Sequence, residues 1–419
     1  MNLMHRKPST GVRLLAFLLL VPAACDPAPE SSPTTRSDSA GIPITTALAP
    51  LWGPGEGWTI AEEPLVEIGS VSGPEEYLLD GITGAVRLSD GGIVLGERTS
   101  GELRRYDSKG TFVWRAGGQG EGPGEHQRLR FLFRLPGDSV VTWDIALDRV
   151  QVFGPDGSVA RTRRIESPWP GFTARGVIGV SGRQLVLTFS DYRETPVGVV
   201  RWPGVRIATW SLDDGTAREL MSVPGSEQHV RRGDGWITQT GYEFGKGPRW
   251  AVMPGRLAIV DTESFSIRSV SLDDGATTAI LRRDVPIREV TSEHVEAYVE
   301  WMAHRNIVYG GYSQEQAEAS KPGWRKRPMA STLPVLESIL LDAAGNLWVE
   351  PYSVYGAAVP PPEVCGPDGT WLGTVALPPG RGGLLANGGL EIGDDYVLGV
   401  WRGEQGVEYV RMYALEKSE

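Results

Sequence analysis

The sequence predicts an all-β fold, a six-bladed β-propeller closed by an N-terminal strand, with a short helical insertion before the fifth blade. Three observations carry that expectation. Glycine (54) and proline (31) make up about a fifth of the 419 residues, which excludes long helical bundles and coiled coils. A Gly-, Asp- or Pro-rich turn leading into a short β-rich run recurs six times, at 89–97, 136–144, 181–189, 254–261, 343–350 and 393–401. The first five copies are each followed by a second run and a hairpin turn ending at Gly110, Gly157, Gly215, Gly275 and Gly369. The intervals of 47, 58, 60 and 94 residues suit one four-stranded blade each, with insertions in the later repeats. Hydrophobic residues at 40% and 14 tryptophans supply a sizeable core. A net charge of -11 excludes sequence-independent nucleic-acid binding, which needs the opposite sign.

The N-terminal residues 1–24 read as a signal peptide. Arg6, Lys7 and Arg13 precede an apolar run from Leu14 to Val21, which is too short to cross a hydrocarbon layer of roughly 30 Å as a helix. The following Val21-Pro22-Ala23-Ala24-Cys25 resembles the lipobox of bacterial lipoproteins, with Pro22 where a leucine-like residue is usual. That resemblance implies acylation of Cys25, a mature chain beginning there, and an exported protein lipid-anchored to the cell membrane or outer membrane. Cys365 is then the only other cysteine, so no disulfide is expected within the folded part. Residues 25–50, rich in Pro, Ser, Thr and Ala without a period of 2 or 3.6, read as the lipidated cysteine and a flexible tether. The propeller is expected over 51–419. Pro64 to Gly69 forms an extra strand ahead of the first copy, and the sixth copy holds only about three strands. The N-terminal strand therefore completes the last blade and removes the open edges.

From Thr291 the chain reads TSEHVEAYVEWMAHRN. Val295, Tyr298, Val299 and Met302 recur at helical spacing behind Ser292 as cap, which predicts an amphipathic helix. With the polar and then basic stretch that follows, the insertion covers about 286–332 and is expected across one face of the disc or against a blade edge.

RAGGQGEGPGEHQ followed by VVTWDIALDRVQVFGPDG, and SILLDAAGNLWVEPY followed by VCGPDGTWLGTVALP, resemble NHL-type repeats. In these a Gly-rich crossover precedes a strand ending in an acid and a closing Asp-Gly turn. The chain is similar over about 65–415 to bacterial six-bladed propeller lipoproteins of NHL-like type.

Covalent catalysis has no support in the sequence. Neither G-x-S-x-G nor S-x-x-K occurs, Cys365 falls in a predicted turn without a nearby histidine, and the five histidines are scattered. The Gly-rich GGQGEGPGE lacks the Lys-Ser/Thr of a phosphate loop and reads as a blade crossover. Aligning the ends of the β-runs brings Glu97, Asp144, Asp191, Asp261 and Glu350 to one position, with Arg402 in the sixth copy. Around a channel such acids would repel one another unless a cation or an arginine compensated, and calcium, a hard ion taking six to eight oxygens, would suit them. The competing reading is that each acid braces its own blade. Loop aromatics Trp236, Tyr242, Trp250, Trp324 and Tyr352 are candidates for ligand contact. The segment 233–250 stands out as a long connection on a rigid scaffold, and Pro322 to Arg327 is a local basic patch. These features predict a membrane-tethered module that binds a protein, peptide or glycan of the cell envelope. The alternative is a divalent-metal-dependent hydrolase or lyase using the channel acids.

Overall fold

The computed structural model of the protein describes residues 32–191, 196–201, 204–234, 236–380, 384–385, 389–403 and 406–417. The signal peptide and Cys25 lie outside the described residues. The compact unit spans Pro33–Glu419.

Antiparallel meanders of four strands recur along the chain. The first comprises Ile82–Arg87, Ile93–Glu97, Glu102–Tyr106 and Phe112–Gly117, and the second Leu129–Arg134, Val140–Asp144, Arg149–Phe153 and Val159–Arg164. The third runs through Thr173–Ser181, Gln184–Ser190, Val205–Ser211 and Ala217–Val223, and the fourth through Pro248–Met253, Arg256–Asp261, Ser266–Ser271 and Thr277–Arg283. Leu336–Leu341, Leu347–Pro351, Glu363–Cys365 and Trp371–Thr374 make the fifth. In the last sheet Glu391–Ile392, Tyr396–Arg402 and Glu408–Glu416 are joined by Thr59–Ile68, which pairs antiparallel with Glu408–Glu416.

Burial follows strand position. The first strand of the first sheet alternates between buried and half-buried residues, the second is buried throughout, and the outer Phe112–Gly117 alternates between half-buried and exposed. Second strands are covered on both faces because each sheet packs against two neighbours, so their sequences (IVLGE, VVTWD) read as continuous apolar runs rather than alternating ones. Apolar clusters lie between successive sheets. Leu103 meets Phe153, Trp143 meets Phe189, Ile207 meets Ile259, Val260 meets Ile339, Trp348 meets Trp401, and Val400 meets Leu95, each within one shared cluster. The architecture is an all-β propeller.

Three elements depart from the sequence reading. The expected tether over 25–50 instead holds a hairpin, Thr34–Ser39 and Ile42–Ala47, whose second strand pairs in parallel with Thr277–Arg283 and extends the fourth sheet to six strands. It escapes a pattern search because its first strand is almost wholly exposed and only Ile44, Thr45 and Ala47 are buried. A separate three-stranded sheet, Gly198–Arg201, Glu227–Gly233 and Trp236–Gly241, occupies what reads as loop. The insertion contains two helices, α1 (Ser292–Tyr309) and α2 (Gln314–Arg325), and the cap of α1 is Thr291 rather than Ser292. Pro322-Gly323 in the last turn of α2 hides that helix from propensity, although Ser313 and Gln316 form a capping box at its start. Among the described residues no helix is long and apolar enough to cross a membrane.

Candidate ligand-binding site

Meander topology fixes where the insertions emerge. In each sheet the second and fourth strands run back to the end of the disc at which the first strand begins. Gly198–Arg201 follows the second strand of the third sheet, Glu227–Gly241 follows its fourth, and α1 and α2 follow the fourth strand of the fourth sheet. All therefore leave the scaffold at one end.

There they build a common apolar centre. Tyr298, Val299, Met302 and Ala303 of α1 and Ala317 and Trp324 of α2 pack with Phe244, Ala330 and Leu333. Polar links lock the same junction. Tyr242 Oη donates to the Met329 carbonyl at 2.6 Å, and the Ala330 amide donates to the Glu243 carbonyl at 2.8 Å. Lys246, 6% exposed, donates its ammonium to the carbonyls of Phe244 and Thr332, and burial holds its pKa below the ordinary lysine range. The helices are tied together by Lys321 Nζ to Glu300 at 2.7 Å and by a bidentate Arg325 to Glu296 pair at 2.7 Å.

Between the three-stranded sheet and α2 lies a cavity of about 700 Å³, a size suited to a small molecule or a short chain segment. His229, Arg231 and Thr240 line it from the sheet, Glu243 and Tyr298 from its floor, and Lys326 and Arg327 from the end of α2. Arg327 donates to Tyr298 Oη at 3.1 Å, and Tyr355 Oη donates to Glu243. The segment 233–250 and the basic patch 322–327, singled out in the sequence for different reasons, thus form one concavity. His229 and Arg231 carry no signal in the sequence beyond the Asp234-Gly235 pair that follows EQHVRRG, whose single apolar residue is Val230.

Of the aromatic candidates, Tyr242, Trp324 and Tyr352 meet around this insertion. Trp324 is 7% exposed and Tyr352 packs at the edge of the same cluster, where burial raises its hydroxyl pKa. Trp250 does not belong to the site, because it packs in the core between the third and fourth sheets. Trp236 lies in the strand Trp236–Gly241, and its side chain is outside the described set.

The strand-end acids do not form a ring of ligands. Glu97, 3% exposed, accepts from the Asp80 amide at 2.8 Å, from Ser100 Oγ at 2.5 Å and from Arg104 at 2.8 Å. Asp144 is fully buried and accepts from the amides of Gln127 (2.6 Å), Ala146 (2.9 Å) and Leu147 (3.2 Å). The Asp80–Glu97 and Gln127–Asp144 bonds both span 17 residues, so this is a brace repeated from blade to blade. Asp261 is ion-paired with Arg201 and accepts from the Glu263 amide at 3.1 Å. Glu350 accepts from Ser338 Oγ at 2.5 Å and from the Leu384 amide at 3.2 Å. Arg402 pairs with Glu408 at 2.9 Å, and Asp191 is half-buried just past Gln184–Ser190. Among the described residues no three His, Cys, Asp or Glu side chains are placed to share a cation. Cys365 is in a strand rather than a turn, 1% exposed, and burial pushes its thiol up to about 12, which suppresses the thiolate.

A second cavity of about 600 Å³ opens at the opposite end of the disc, lined from the first strands of the sheets by residues such as Val86, Leu135, Val180, Met253, Leu341 and Ile392. None of the sequence-predicted acids lines it.

No protein-family model matches the chain, and no curated protein matches it. Among solved structures the chain is similar to a member of the DUF4221 family from Bacteroides vulgatus, at 12% identity over 86% of this chain and 99% of that one, TM-score 0.49. It is also similar to a catalytically inactive virginiamycin B lyase from Staphylococcus aureus with quinupristin (10% identity, 86% and 100% coverage, TM-score 0.40). A third similar chain is the calcium-binding protein regucalcin from Agrobacterium tumefaciens (11% identity, 87% and 95% coverage, TM-score 0.36).

Proposed function

We propose that the protein is an exported, lipid-anchored binding module of the bacterial cell envelope, with its recognition site in the cavity between the three-stranded sheet and α2. The observation that carries this reading is the convergence of two insertions from different inter-sheet connections on one concavity of about 700 Å³. The hydrogen bonds and ion pairs that Glu97, Asp144, Asp261 and Glu350 make within their own chain favour this reading over a divalent-metal-dependent hydrolase or lyase, or a calcium site in the channel. The scaffold is read as a six-bladed propeller of NHL-like type. That count is supported by the six apolar clusters between successive sheets, and closure by the N-terminal strand is supported by the pairing of Thr59–Ile68 with Glu408–Glu416. Attachment through Cys25 rests on the lipobox-like sequence, with a spacer shortened to residues 26–33 by the hairpin. The partner is an envelope protein, peptide or glycan.

Gly323 lines the cavity, and a Cβ added there meets nothing within 4 Å. Gly323→Trp therefore fills the site without disturbing the fold. Calorimetric titration with envelope peptides and cell-wall glycan fragments is expected to show saturable binding that Gly323→Trp abolishes at unchanged melting temperature. Divalent-ion-dependent turnover of a bound ligand, or binding indifferent to Gly323→Trp, overturns the reading.

A further inference from the structure

We infer that this cavity is built for a small polyanion, a ligand presenting at least two carboxylate, phosphate or sulfate groups. The inference deepens the binding-module reading and rests on it. Its basis is an inversion of charge. The chain as a whole carries -11, yet His229, Arg231, Lys326 and Arg327 line one concavity in which Glu243 is the sole carboxylate among the described residues. The acids of the helices are engaged away from it, Glu296 by Arg325, and Glu300 and Glu318 by Lys321. Glu243 accepts from Tyr355. Among the described residues Arg231, Lys326 and Arg327 enter no ion pair, and the Arg327 guanidinium donates to Tyr298 Oη, which orients it.

Cations gathered on concave walls repel one another, and the low-dielectric floor of Tyr298 and Trp324 focuses their field. An occupant that distributes negative charge between the sheet side (Arg231) and the helix side (Lys326, Arg327) relieves that repulsion, and a planar guanidinium on each side can bind an oxyanion in bidentate fashion. Cations on two walls of one concavity favour an occupant with two or more anionic groups over one with a single group.

The test titrates the full chain with inorganic pyrophosphate and with citrate, at low and at high ionic strength, with maltose as neutral probe. Saturable one-to-one binding of at least one anion, weakened by salt, is expected. Loss of one charge-assisted contact in Arg231→Ala or Lys326→Ala should weaken it roughly tenfold or more, and Gly323→Trp should abolish it. The exposed Lys109→Ala, on the turn at the outer edge of the first sheet, serves as control and should leave it unchanged. Preference for pyrophosphate or for citrate separates phosphoryl from carboxylate ligands. Binding of neither anion overturns the inference, as does anion binding that Arg231→Ala and Gly323→Trp leave intact. A neutral glycan or peptide whose binding is lost in Gly323→Trp, with no anion bound, would refute the polyanion while leaving the binding module standing.

Discussion

Asp144 separates a brace from a functional acid, and its geometry sets the expected magnitudes. Its carboxylate is fully buried, with one oxygen accepting from the Ala146 and Leu147 amides and the other from the Gln127 amide at 2.6 Å. In Asp144→Asn one oxygen keeps its two donors, but an amide NH₂ now faces the Gln127 N–H. One charge-assisted bond is lost and a partly buried donor is stranded, together about 2–3 kcal/mol. Asp144→Ala strands three partly buried donors beside a cavity left by the carboxylate, and partial relaxation brings the cost to about 4 kcal/mol. For a unit of roughly 390 residues the unfolding entropy near the midpoint is about 0.8 kcal/mol per degree, so the melting temperature should fall by about 3 °C for Asn and about 5 °C for Ala. Urea unfolding followed by tryptophan fluorescence, together with calorimetry, measures both. A variant Asp144→Asn with wild-type stability but lost ligand binding or lost turnover would refute the brace and restore the acid to a functional site.

Two further expectations concern the scaffold. Burial holds His126 below its ordinary pKa of 6.5, as a neutral ring donating from Nδ1 to the Gly101 carbonyl at 2.8 Å and accepting at Nε2 from Thr142 Oγ at 2.9 Å. The unfolded chain therefore binds the extra proton below pH 6.5, stability is complete above that pH, and up to about 2 kcal/mol is lost by pH 5. Asp144 and Arg149 are the charged groups that act on the ring, and a pH series on His126→Asn should show a flatter acid limb; an identical slope would refute the assignment. Ile44 is 6% exposed and sits opposite Ile280 in the parallel ladder. Ile44→Asp should detach the N-terminal hairpin, bare the edge Thr277–Arg283 and speed tryptic cleavage after Arg36, whereas an unchanged cleavage rate would show that the hairpin does not depend on this contact.

The repeat was legible because its turns are sterically demanding. Gly157 and Gly369 both sit at positive φ (81° and 84°), and a Cβ would crowd Trp114 at the first and collide with Thr45 at the second, so glycine is favoured at these hairpin turns. The closing strand was legible as PLVEIG, yet it runs on to Thr59 at its start, because Leu415 and Glu416 offer it an open ladder that only tertiary pairing reveals. The hairpin at 34–47 was illegible for the opposite reason. It lies on the outside of the fourth sheet, buries one side of one strand, and leaves almost no hydrophobic period. Helix α2 was hidden by Pro322, and the three-stranded sheet by its position between blades.

The bracing of the strand-end acids also bears on where the proposed site lies. A residue type that recurs at the same place in most repeats is first of all a property of the repeat, and in the first two sheets it answers a problem of the blade. The amide entering the first strand points into the blade end with no ladder partner, and a carboxylate at the end of the second strand accepts from it, across 17 residues in two successive sheets. On the proposed reading, chemistry specific to this chain lies where the repeat is broken. The breaks are Gly198–Arg201, Glu227–Gly241 and the pair α1 and α2, and the strand-end acid of the fourth sheet is altered to match. Asp261 pairs with Arg201 of the inserted sheet, so a group that braces the blade in the first two sheets anchors an insertion in the fourth. The same junction keeps a lysine, Lys246, buried against two carbonyls, a costly arrangement for an ammonium that fixes the floor of the cavity relative to the blades. Rigid placement of Tyr298 and Glu243 beneath exposed cations at 231, 326 and 327 is what a binding site requires and what a solvated loop does not.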